Sequence, residues 1–77
     1  MPPIIGLAFK WLVPWLISLL KSRTPTAVNK AIDAVWPIVE EMLADASEKG
    51  LGQLSVEFRA PYEKRMVLAL FSLGLLG

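Results

Sequence analysis

The sequence has no cysteine and no histidine in its 77 residues. Without cysteine, no disulfide can staple a small fold, and the redox compartment leaves no trace. Without either residue, structural zinc, haem and iron–sulfur centres lose their usual ligands. Serines occur at 18, 22, 47, 55 and 72, but no histidine stands ready as their base, which removes the usual nucleophilic triad. A Gly-rich phosphate loop and the spaced glycines of a dinucleotide site are missing as well. Charge is sparse: charged residues are 19% of the chain, eight basic against seven acidic, for a net +1. A scattered, balanced set of this kind argues against nucleic-acid binding. These absences point away from an enzyme and imply no cofactor and no metal.

A chain of this length makes at most one domain, and a soluble core of that size is marginal unless something staples it. A partner or a bilayer is the expected source of the missing stability. Composition leans the same way, with 55% hydrophobic residues and a mean hydropathy of +0.52. The charges are segregated. Residues 1–23 carry only Lys10, Lys21 and Arg23; residues 24–50 are acidic; residues 51–77 are nearly balanced. The start, "MPP", has no basic n-region, Lys10 interrupts the apolar run and no small-x-small cleavage site follows, so a secretory signal is not expected.

The run "IIGLAFKWLVPWLISLLKSR" predicts a helix over residues 4–21. On a helical wheel Gly6, Lys10, Pro14, Ser18 and Lys21 share an arc of about 120°, and all other positions are apolar. Trp11 and Trp15 border that stripe. As a helix, residues 2–20 would reach roughly 28 Å, just short of a roughly 30 Å hydrocarbon core. Ten Leu, Ile, Phe or Val residues give roughly −3 to −6 kcal/mol of insertion energy, and a central Lys returns about +2.5 to +3.5. A simple span is therefore marginal. A helix lying in the interface, with Lys10 and Lys21 snorkelling and the tryptophans at headgroup level, avoids the cost.

The middle stretch predicts a second helix over 25–49, capped by Thr24, opened by Pro25, kinked at Pro37 and stopped near Gly50. Val28, Ile32, Val35, Val39 and Met42 recur at spacings of four and three, a contact seam of heptad type. The opposite face is acidic. Glu41, Asp45 and Glu48 read as a solvated face rather than a cation site. If both apolar ends enter lipid, the seam must face a second copy or a partner. If they fold back upon it, the chain is a compact three-helix unit and the membrane reading weakens.

Residues 51–61 are expected to be an extended linker. Leu54, Val56 and Phe58 alternate with polar residues as in a strand, yet no second strand-like run exists to pair with it. A third helix is expected over 62–75. Lys64 and Arg65 lead into an apolar stretch too short to cross a bilayer. With Lys21 and Arg23 after one apolar end and Lys64 and Arg65 before the other, the positive-inside rule puts residues 21–65 on the cytoplasmic side if both ends insert.

The expected architecture is all-α, two or three helices in one small unit. Apolar ends around a charged amphipathic middle resemble small phage and bacterial membrane proteins, holins among them. The leading expectation is a non-enzymatic membrane-associated protein acting by self-association or as an accessory subunit. It would have a lipid bilayer and a homo-oligomer or larger assembly as partners. Lys10, Trp11, Trp15, Lys21, Arg23, Lys64 and Arg65 would lie at the membrane interface. The alternative is a soluble structural or adaptor chain of a virion or other complex, its apolar ends buried against partner subunits.

Overall fold

The computed structural model describes residues 3–76, with the side chains of residues 3–5 and 7 outside the description. Three helices form: α1 (Pro3–Leu19), α2 (Pro25–Glu48) and α3 (Val56–Ser72). The fold is all-α, as the periodicity implies.

Helices α2 and α3 carry local start and stop signals. Thr24 accepts a hydrogen bond from the Ala27 N–H at 3.2 Å, with Pro25 at the first helical position. This satisfies one of the four N–H groups that a helix start leaves open. Ser55 does the same for α3, accepting from the Phe58 N–H at 3.1 Å. Gly50 and Gly74 stop α2 and α3, with φ of 68° and 70°. The Leu51 N–H reaches back to the Ala46 carbonyl and the Leu75 N–H to the Leu70 carbonyl. Each closes a Schellman motif that a residue with a Cβ would strain.

Pro14, Pro37 and Pro61 lie inside helices, yet α2 and α3 run through theirs without a break. All three prolines are exposed. The carbonyls they leave without an amide partner, on Lys10, Asp33 and Glu57, belong to outward-facing residues, where water can take over the bond.

The third helix starts earlier than the sequence pattern suggests. The linker is not extended over 51–61; it ends at Ser55, and α3 takes in 56–61. The strand-like alternation is satisfied as a helix instead. Leu54, Phe58 and Tyr62 recur every four residues and pack against the core. Val56, the middle member of the alternation, is left 69% exposed. A lone strand would leave its backbone unpaired, whereas Ser55 offers a cap.

The helices run down, up and down, with α2 in contact with both neighbours. Its buried stripe is Ala31, Val35, Val39, Met42 and Ala46. Leu12 and Leu16 from α1, Leu20 just beyond it, and Met66 and Leu70 from α3 pack into one cluster with this stripe. The apolar ends thus fold back on the seam. The weakly polar stripe of α1 faces outward, with Lys10, Pro14, Ser18 and Lys21 all exposed. Beyond α3, the Lys21 N–H donates to the Leu75 carbonyl at 3.1 Å, and Leu20 and Leu76 form an antiparallel bridge. That bridge joins the exit of α1 to the segment after α3.

Candidate functional site

Antiparallel packing brings three segments to one end of the molecule: the exit of α1, the first turns of α2 and the last turns of α3. Lys21 and Arg23 are exposed there, and so is Lys30 on α2. Lys30 and Asp33 share a groove with Leu73 and Leu75. Three cations and one acid, Asp33, therefore mark this end, leaving five cations and six acids for the rest of the chain. At the same end Leu68, Phe71 and Leu73 are 59%, 73% and 60% exposed. Lys64, Leu68 and Phe71, at i, i+4 and i+7, lie along one outward stripe of α3. The result is an apolar surface with cations beside it.

The other end is cross-linked by polar contacts. Arg65 donates to Glu41 at 2.7 Å, and the Tyr62 hydroxyl donates to Asp45 at 2.9 Å. Lys49 sits 3.4 Å from the same Asp45. The hydrogen bond from Arg65 holds the Glu41 carboxyl below its ordinary range and raises Arg65. Donating to Asp45 raises Tyr62 above the usual tyrosine value, because ionisation would lose that bond. The acidic face is thus partly tied to α3. Among the described residues no group of three or more acids could hold a metal ion.

A third feature joins α1, the linker and α3. The Arg59 guanidinium lies over the Trp11 ring, 4.9 Å from its centroid, and Trp11 stacks on Trp15 at 5.3 Å. Lys10, Trp11, Gln53, Leu54 and Arg59 line a groove of about 320 Å³.

The residues expected at a membrane interface are dispersed by this geometry. Lys10, Lys21, Arg23 and Lys64 are exposed; Trp11 and Trp15 are half-buried against the core; Arg65 is engaged with Glu41. In the seam, Val35, Val39 and Met42 are fully buried, while Val28 and Ile32 flank it half-buried. Sequence reasoning missed that Leu68, Phe71 and Leu73 would be left outside. The signal was present: residues 66–71 are apolar all round the last turns of the helix, more than one contact face can cover. The pairing of Arg59 with Trp11, far apart in the chain, had no local signal.

Fold and surface together define a small antiparallel three-helix unit with an apolar–basic end. Among the described residues no helix is long and apolar enough to cross a membrane. No family model matches the chain, and no curated protein or solved structure is significantly similar to it.

Proposed function

We propose that this chain is a non-enzymatic, peripheral membrane-surface protein that attaches through its apolar–basic end to an anionic bilayer. The observation that carries it is the exposure of Leu68, Phe71 and Leu73 at the end bearing Lys21, Arg23 and Lys30. Lipid offers a way to cover those side chains, and its anionic headgroups complement the local charge. Burying the exposed part of each is worth roughly 1–2 kcal/mol. Each cation near an anionic surface adds about 1 kcal/mol, with Asp33 opposing. The total suits weak, reversible attachment rather than permanent insertion. Spanning and membrane-permeabilising forms of the membrane reading, including a holin-like one, draw no support from helices of this length and polarity.

Sedimentation with vesicles tests the proposal. The wild-type chain is expected to pellet with vesicles containing phosphatidylglycerol, less so with pure phosphatidylcholine, and to be released by salt. Leu68→Ser with Phe71→Ser should weaken binding by roughly tenfold or more. Absence of binding to anionic vesicles would overturn the proposal. So would a wild-type dimer dissociated by the same two changes, since the apolar end would then be covered by a second copy.

A further inference from the structure

Among the described residues Arg59 carries a buried side-chain donor without a hydrogen-bond partner. Its side chain is 18% exposed, and its nearest acid, Glu63 Oε1, stands 3.9 Å from Nε. That is an ion pair but too long for a hydrogen bond. Nε is itself buried and has no hydrogen-bond partner among the described residues. A buried guanidinium N–H without an acceptor is costly, and such groups are rare in native folds. The groove beside Arg59 is lined by further donors, which leaves its N–H groups without a carboxylate acceptor there. Lys10 is exposed and makes no ion pair among the described residues, and Gln53 brings amide donors. Trp11 and Leu54 form an apolar wall. No acid lines the groove.

We propose that this groove binds a small phosphate-type oxyanion, with Arg59, Lys10 and Gln53 as donors and Trp11 and Leu54 against whatever the phosphate carries. Guanidinium and ammonium together suit an oxyanion: the first offers a planar fork of donors, the second a mobile point charge. Glu63 is the internal competitor. An arriving phosphate takes over Arg59 and leaves Glu63 to solvent. The groove is framed by α1, the linker and the start of α3, away from the apolar–basic end that the membrane reading uses.

The test is a titration of the ¹⁵N-labelled chain at constant ionic strength, with sodium chloride as the reference. One arm uses inorganic phosphate; a second uses dihexanoylphosphatidylglycerol below its micellar concentration. The spectra follow the Arg59 Nε–H, the Gln53 side-chain amide and the Trp11 indole N–H. Saturable shifts at these groups are expected. Tighter binding of phosphate itself assigns the site to the free ion, and tighter binding of the short-chain lipid assigns it to a headgroup. Arg59→Lys, read at Gln53 and Trp11, should weaken binding about tenfold. Lys10→Gln, a change at an exposed position with little bearing on folding, should weaken it several-fold. Glu63→Gln should tighten it by removing the competing carboxylate. Non-saturable shifts spread over the surface in both arms would overturn the proposal. Equal affinities in wild type, Lys10→Gln and Glu63→Gln would overturn it as well.

Discussion

Replacing Val35 and Val39 together by Asp puts two carboxylates on the face of α2 that α1 and α3 cover. Both valines are fully buried, and no polar or charged side chain is buried among the described residues. Neither new carboxylate therefore finds a partner inside. The lost apolar burial amounts to roughly 3 kcal/mol for the pair. An unpaired buried charge costs several kcal/mol more at each position. Natural domains hold together by only about 5–15 kcal/mol, and a chain this short belongs near the lower end. The double variant is expected to be unfolded at 25 °C. The assay is far-UV circular dichroism with urea denaturation, run beside Asn29→Asp with Ala44→Asp. That control adds the same charge at exposed positions of the same helix. It should cost little more than the change in helix propensity, under about 1 kcal/mol per site. If Val35→Asp with Val39→Asp instead keeps its helicity and a cooperative transition and loses only an oligomer, the seam faces another chain. The three-helix packing would then be wrong.

Further outcomes follow from the packing, the caps and the ion pairs. Leu16→Ala, at a position with no exposed surface, should lower unfolding free energy by about 2–5 kcal/mol in urea titrations. Gly50→Ala and Gly74→Ala should each cost about 1–2 kcal/mol because both glycines have positive φ, whereas Gly52→Ala, with open space around it, should be close to neutral. Glu41 has a lowered folded-state pKa, so its contribution is present above the unfolded value and disappears as pH falls through the folded one. Tyr62 is raised, so its contribution holds below the unfolded value and is lost as pH rises through the folded one. Glu41→Gln should flatten the acid limb of a stability–pH curve, and Tyr62→Phe the alkaline limb, each leaving the other unchanged.

Local chemistry made much of this fold legible in advance. Thr24 with Pro25, and Gly50 after the last periodic residue, bound α2 in the sequence as they do in the structure. The stripe of Gly6, Lys10, Pro14 and Ser18 marked the outward face of α1, although a wheel alone cannot say whether its apolar remainder meets lipid or protein. The start of α3 was misread because Leu54 and Phe58 fit both a two-residue and a four-residue period. Pro61 then weighed as a boundary, when on an exposed face it costs only one bond that water replaces. The seam was drawn through Ile32, yet the fully buried position is Ala31. A helix flanked on two sides buries a small residue where its neighbours come closest, and hydrophobicity alone does not reveal that. The apolar–basic end depends on which chain ends meet, which is tertiary information. No local pattern linked Lys21 to Leu75.

The central functional claim, attachment through the end bearing Leu68, Phe71 and Leu73, is tested most directly by a site-specific probe. The absence of cysteine makes any introduced thiol a unique point of labelling. Ser72→Cys, exposed beside Leu68 and Phe71, and Glu48→Cys, exposed at the far end of α2, each carry an environment-sensitive fluorophore. Added vesicles containing phosphatidylglycerol should shift emission to the blue at position 72 and leave position 48 unchanged. A shift at 48 alone, or none at either position, would contradict attachment through this end.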